Sequence, residues 1–184
     1  MQAITHLSIS WLVGCRLETR RDRVLVAWAG VVPDLDALTV LGGRLAFANW
    51  HHVLTHGILA ALATTAICAA AARRRAATML LALAAFHAHL LCDFFGSGYD
   101  WTIRYWYPFS PLEISSPLKW NLESWPNFAI TLAALAAIAF VGIRSGHTFV
   151  ETLLPAKIDA ALVKTLRRRF APGSIERESN SGSR

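Results

Sequence analysis

The sequence has little charge and few cysteines for its length. Charged residues make up 16% of the 184 residues, whereas 54% are hydrophobic. The three cysteines (Cys15, Cys68 and Cys92) form no C-x-x-C pair, so no disulfide framework is predicted. The N-terminus lacks the basic start and small-residue cleavage site of a secretory signal. This composition argues against a soluble enzyme and for a membrane protein.

The positive charge that is present, a net +6, is grouped in short clusters between apolar runs. The clusters are Arg16, Arg20, Arg21 and Arg23, then Arg73 to Arg75, then Arg167 to Arg169. Basic patches can indicate nucleic-acid binding. Clusters placed between apolar runs are instead typical of the cytoplasmic ends of membrane helices. We therefore predict no nucleic-acid partner.

The apolar runs predict an all-α integral membrane bundle with about four membrane-embedded helices. The predicted helices are Ile4 to Cys15, Val24 to Val32, Ile58 to Ala72, Ala76 to Phe95 and Phe128 to Ile143. The first two are too short for the roughly 30 Å of hydrocarbon, so we expect them to be half-inserted or packed inside the bundle.

Composition divides the chain into three parts. Residues 1–146 are predicted to form a membrane-embedded domain that holds a polar site at one end. Within it, residues 96–125 are rich in tryptophan, tyrosine and proline, which indicates an irregular segment at the membrane–water interface. Residues 147–170 are predicted to form a basic amphipathic surface helix, and residues 171–184 a disordered tail.

The end of the longest apolar run carries ionisable side chains that are costly in hydrocarbon. His89 and Asp93 are four residues apart, so they share one helical face. Ionisable groups at such a place pair with one another, bind an ion or line a wet cavity. An imidazole beside a carboxylate is typical of half of a zinc site.

Further histidines and aspartates each lie about one helical traverse, roughly 15 to 25 Å, from an arginine cluster. This spacing predicts that they meet at one end of the bundle and the arginines at the other. A bridging carboxylate among them would suit a two-metal centre. The alternatives are helix capping by the aspartates and hydrogen bonds from the histidines to loop carbonyls. The residues concerned are His6, Asp34, Asp36, His51, His52 and His56.

Four other polar residues are less directly implicated. His87 lies on a different helical face from His89, so a supporting or structural role is predicted. His147 falls at the arginine end and is excluded from the site. Asp100 and Glu113, in the aromatic segment, are either a general base, an outer ligand or solvated side chains.

Five short motifs occur in the order seen in a known family. They are Thr5-His6, Pro33-Asp34-Leu35-Asp36, His51 to Gly57, His89 to Asp93 and Tyr107 to Pro111. With them the chain resembles bacterial membrane-bound metal-dependent hydrolases, inner-membrane proteins often described as LexA-binding, over roughly residues 4–111. In that family the position of His52 is often arginine and that of Gly57 often serine.

The resemblance implies a multi-pass protein of the bacterial inner membrane. It also implies a metal-ligand set: His6, Asp34, Asp36, His51, His56, His89 and Asp93. The family is distantly similar to zinc-dependent phospholipase C, which is all-helical and binds a cluster of zinc ions. By analogy of fold, that similarity suggests phosphoester hydrolysis.

We therefore expect a membrane-bound metal-dependent hydrolase acting on a phosphoester of a lipid or amphiphilic substrate. It would use two or more divalent ions, zinc first and manganese second, with Asp34 and Asp36 as catalytic carboxylates. The alternatives are a non-catalytic metal-binding scaffold, an anchor whose basic cytoplasmic end binds a protein partner, and an ion-coupled transporter. An enzyme needs an open coordination position that a structural metal site lacks.

Overall fold

The computed structural model describes residues 1–172, and within them the chain is all-helical, as predicted. The only strand-like pairing in this range is one bridge between Ile103 and Ile114. Two 3₁₀ segments occur, Val32–Gly42 and Phe149–Thr152. The α-helices are α1 (Ala3–Gly14), α2 (Arg20–Ala29), α3 (Arg44–Trp50), α4 (Ile58–Ala71), α5 (Arg75–Gly96), α6 (Trp125–Ser145) and α7 (Ala156–Phe170).

Two helices, α5 with 22 residues and α6 with 21, are long and apolar enough to cross a membrane. The helix α2 and the 3₁₀ segment Val32–Gly42 pass the same test only as a pair bent by 51°. The described chain therefore has two or three candidate spans, and the predicted apolar helices α1 and α4 are present as shorter helices. These two helices are apolar but shorter than a span of about 20 residues.

The short helix α1 is packed inside the bundle, against α2, α5 and α6. Its Trp11 is fully buried in a core cluster with Leu7, Ala27 and Ile138. A second core cluster joins α4 to α5 through Ala61 and Phe86. This packing holds the histidine-bearing start of α1 beside the end of α5.

The stretch that contains Pro33 forms the first 3₁₀ segment and is followed by α3, with Gly43 between them in the left-handed region at φ 95°. The surface helix predicted over residues 147–170 begins later than expected, because α7 starts only after Pro155. Proline disfavours helical backbone at the preceding residue, so the helix cannot run through it. The predicted tail from residue 173 onward lies outside the described residues.

The arginine clusters meet at one end of the bundle, as their spacing predicts. There the guanidinium of Arg23 donates two hydrogen bonds to the buried Glu151 carboxylate, at 2.6 and 2.7 Å. The indole of Trp11 donates to the same carboxylate at 3.0 Å. The Asp22 carboxylate accepts two backbone hydrogen bonds from the turn between α4 and α5. This network joins α1, α2, α5 and the Glu151 segment.

The Arg23–Glu151 pair yields a stability prediction. Glu151→Gln leaves the Arg23 charge buried without its partner, and removing one member of such a pair costs about 3–5 kcal/mol. We expect a clearly lower unfolding midpoint in detergent, followed by circular dichroism. The matched control is Glu18→Gln, which breaks an exposed pair with Arg74 and should hardly shift the midpoint. Equal shifts in the two variants would contradict this account.

Candidate metal centre

The Asp93 carboxylate, near the end of α5, lies at the centre of a cluster of buried imidazoles. Its Oδ1 is 3.2 Å from His6 Nε2, and its Oδ2 is 2.9 Å from His89 Nε2. The same Oδ2 is 3.4 Å from His56 Nε2 and 3.8 Å from His52 Nε2. No more than 3% of any of these five residues is exposed. Four rings from three parts of the chain therefore converge on one carboxylate.

The ligand atoms form two groups, each compact enough to hold an ion. The first consists of His6, Asp34, His89 and Asp93, and the second of His52, His56 and Asp93. In each group the ligand atoms lie within 4.8 Å of one another. Because Asp93 belongs to both groups, it would be a ligand to both ions of a two-metal site.

Hydrogen bonds on the far side of two rings fix which nitrogen faces the centre. His89 Nδ1 is 2.8 Å from the Gly30 carbonyl oxygen, which can only accept. His56 Nδ1 lies 2.9 Å from Asp36 Oδ2 in the same way. These bonds hold a proton on Nδ1, so each ring in its neutral form directs an Nε2 lone pair at Asp93. Metal-binding histidines are commonly held in this manner by a carboxylate or a backbone carbonyl.

Several buried polar atoms of this cluster have no hydrogen-bond partner in the described part of the chain, although Asp93 Oδ1 accepts a hydrogen bond from the Met1 α-amino group. Those without a partner are His6 Nδ1 and Nε2, His52 Nδ1, His56 Nε2, His89 Nε2 and Asp93 Oδ2. Burying a polar atom without a partner costs free energy. Divalent cations bound here would satisfy one nitrogen of each ring and the carboxylate oxygen together, so these residues fit a metal site.

The turn between α3 and α4 is tied to the segment that carries Asp34 and Asp36. The Thr55 hydroxyl donates to the Pro33 carbonyl at 2.5 Å and accepts from the Asp36 amide at 3.1 Å. The Asp36 carboxylate binds His51 Nδ1 at 2.7 Å with one oxygen and His56 with the other. Asp36 therefore orients two imidazoles rather than facing Asp93, and neither Asp36 nor His51 belongs to the two ligand groups.

His52 enters the second group through an unusual backbone conformation. Its φ of 65° lies in the left-handed region that non-glycine residues rarely adopt. The turn stacks the His52 ring on that of His56, with centroids 4.3 Å apart. The predicted ligand set did not include His52, and no sequence signal announces a left-handed residue at this position.

The two stacked rings differ in their proton affinity. Burial, reinforced by the neighbouring His56 charge, lowers the pKa of His52 to about 2. Burial also acts to lower the pKa of His56, but the adjacent Asp36 and Asp93 carboxylates outweigh it and raise that pKa to about 9. His52 is thus a neutral donor, whereas a metal at His56 competes with a proton.

A cleft gives access to the centre, and Asp34 lies on it. A cavity of about 250 Å³ is lined by Asp34, His51, His52, Asp93 and Trp101, among others. The Asp34 side chain is 23% exposed, and its Oδ1 is 3.7 Å from His89 Nε2. Trp101 packs within 5.0 Å of the His51 ring centroid. The aromatic segment thus lies against the site through Trp101, and the Asp34 carboxylate remains open to the cleft.

The remaining polar candidates lie outside the centre. His87 is exposed, lies 2.9 Å from the Tyr105 hydroxyl and belongs to neither ligand group. His147 lies at the arginine end of the bundle, bonded to the Cys15 carbonyl. Glu113 forms an exposed pair with Arg104. Asp100 lines an outer cavity of about 480 Å³.

The family comparison covers the whole of this centre. Residues 1–165 match the family model described as YdjM inner membrane protein. Searches of curated proteins and of solved structures found no significant match. Every residue of the two ligand groups lies in the matched region, so the centre is part of the family's own domain.

The shared position of Asp93 yields a prediction about metal content. Asp93→Asn removes a ligand from both groups at once, so bound zinc should fall from about two ions per chain to less than one. Elemental mass spectrometry of the detergent-purified protein measures this ratio. His87→Gln, on the same helix but outside the centre, should keep the wild-type content. Unchanged zinc in Asp93→Asn would overturn the assignment of the centre.

Proposed function

The chain belongs to the YdjM inner membrane protein family, and we propose that it is a multi-pass metal-dependent hydrolase of the bacterial inner membrane. One observation carries the proposal: unpartnered buried nitrogens and a carboxylate oxygen converge at the base of an open cleft. Such a donor set binds metal, and the cleft provides space for a substrate. The proposed reaction is hydrolysis of a phosphoester.

The proposed cofactors are two divalent ions that share Asp93. Imidazole and carboxylate ligands suit zinc, with manganese as the second choice. When bound, such ions activate a water molecule and stabilise charge on phosphoryl oxygens. The contribution of the protein is to hold the nitrogens of both groups in place, through Gly30 behind His89 and Asp36 behind His56.

The aspartates take different roles in this proposal. Asp34 is the carboxylate with access to the cleft, so we assign it the proton-accepting role of a general base. Asp36 bonds to His51 and His56 and therefore acts as a positioning residue. This division refines the sequence prediction, which gave both carboxylates a catalytic role.

The surroundings of the cleft support an amphiphilic substrate. The outer cavity, about 480 Å³, is lined by Trp50, Trp101, Tyr107 and Arg104 and shares His51 with the inner cavity. Its volume lies in the range of small-molecule sites, about 300–1,000 Å³. Tryptophan and tyrosine favour the membrane interface, and Arg104, whose present partner Glu113 is exposed in the same lining, could exchange that carboxylate for a phosphate. A lipid or other amphiphile with a phosphoester head group fits this combination.

A closed structural metal site is the main competing function. Its supporting observation is the near-complete burial of Asp93 and the four imidazoles. A structural site, however, does not need the cleft or an open carboxylate such as Asp34. Ion transport finds less support, because the core between α1, α2 and α6 is filled by Leu7, Trp11, Ala27 and Ile138.

Asp34→Asn separates catalysis from metal binding. The protein is stripped with a chelator, reloaded with zinc or manganese, and assayed on bis(p-nitrophenyl) phosphate and on phospholipid in mixed micelles. Loss of the general base should lower kcat by about 100-fold or more. Metal content should fall less than in Asp93→Asn, because Asp34 belongs to one ligand group and Asp93 to both, and activity is therefore compared per bound ion.

The matched control is Glu123→Gln. It changes an exposed carboxylate that lines neither cavity, so the variant should retain full activity. If the metal-loaded wild-type protein hydrolyses neither probe, the hydrolase proposal is wrong and the closed site is the better account.

A further inference from the structure

A separate cavity of about 600 Å³ lies at the opposite end of the bundle from the metal centre. It is bounded by the end of α1, the turn before α2 and the end of α6. One wall is apolar and consists of Leu17, Phe140 and Val141, while Arg16 and Arg144 supply positive charge. The cavity therefore combines an apolar surface with a basic rim.

The positive charge of the two arginines on the rim is available to an anionic ligand. Within residues 1–172, Arg16 forms no ion pair, and the Arg144 guanidinium stacks on the Phe140 ring at 4.5 Å without an acidic partner. The other charged residues of the lining are already paired. Arg23 is bonded to Glu151, and the Glu18 carboxylate binds an arginine of the α4–α5 turn. The net effect is two uncompensated guanidinium groups on one cavity.

The location of the cavity indicates what could fill it. Arg144 lies in the last turn of α6, a candidate span, so the cavity is at the depth where a span meets lipid head groups. The arginine clusters gather at this end, and the positive-inside rule assigns such an end to the cytoplasm. Basic pockets between membrane helices on that side bind anionic lipid head groups.

We propose that this cavity is a binding site for an anionic phospholipid of the cytoplasmic leaflet. Arg16 and Arg144 would bind the phosphate, since guanidinium groups form charge-assisted hydrogen bonds with phosphate oxygens. The glycerol and the first acyl carbons would cover Leu17 and Phe140, a residue that is 57% exposed. A free phosphate would leave this apolar wall uncovered. The site is independent of the metal centre and of the proposed hydrolysis.

Native mass spectrometry of the full chain in detergent tests the proposal. Phosphatidylglycerol and phosphatidylcholine with the same acyl chains are titrated separately, and the bound fractions are compared. We expect wild type to bind phosphatidylglycerol at least tenfold more tightly than phosphatidylcholine. Arg16→Gln/Arg144→Gln should lose that preference.

Two further variants make the result specific to the cavity. Ser145→Trp places a bulky ring in the cavity lining but keeps both arginines, so it should also lose phosphatidylglycerol binding. Arg21→Gln/Arg75→Gln removes the same charge from exposed residues at the same end and should bind as wild type does. If the arginine double variant fails to fold, judged by its unfolding midpoint, Ser145→Trp decides the question.

Three results would overturn the proposal. The first is equal binding of the two lipids by wild type, and the second is equal loss in the Arg21→Gln/Arg75→Gln control. The third is complete displacement of the lipid by inorganic phosphate at equal concentration, which would identify a site for free anions.

Discussion

The charge of one buried carboxylate must be compensated for the bundle to close. Asp93 is 2% exposed in an otherwise apolar helix, and an uncompensated charge there is costly. Its four neighbouring imidazoles come from α1, α5 and the turn before α4. Because these elements are distant in sequence, the centre exists only when the helices have packed. Compensation of Asp93 and assembly of the bundle are therefore one event.

A second buried carboxylate, at the other end of the bundle, is compensated in a different way. There the Glu151 carboxylate is compensated within the protein by a bidentate bond from Arg23. At the metal centre the Met1 α-amino group forms an ion pair with Asp93 Oδ1, but Asp93 Oδ2 and several imidazole nitrogens have no partner among the described residues. The Glu151 carboxylate has a partner on each oxygen, whereas the centre around Asp93 leaves buried atoms available to a metal ion. This contrast separates a structural network from a ligand site in one small bundle.

The convergence of the histidines was predictable from the sequence because it depends only on helix geometry. A rise of about 1.5 Å per residue converts the distances between polar and arginine clusters into helical traverses. The helical repeat also places His89 and Asp93 on one face. These arguments need no knowledge of loops, and the structure brings the predicted groups together at one end.

The roles of individual side chains within the centre depend on loop conformation, so helix geometry alone could not predict them. The left-handed backbone at His52 stacks its ring on that of His56, and a histidine at this position does not indicate such a backbone conformation. The part played by Asp36 depends on a turn that folds back through Thr55. The length of α1 left two expectations open, partial insertion or packing inside the bundle, and the structure shows α1 packed against its neighbours. Periodicity specifies which face is apolar, not whether lipid or protein covers it.

The most direct test of the central claim is zinc K-edge X-ray absorption on the zinc-loaded, detergent-purified protein. A centre built around Asp93 predicts nitrogen and oxygen ligands at about 2.0–2.2 Å, with outer-shell scattering from imidazole rings. It also predicts a second zinc at about 3.5–4 Å. Sulfur scattering at about 2.3 Å, as Cys92 next to Asp93 would give, or the absence of imidazole scattering would contradict the account.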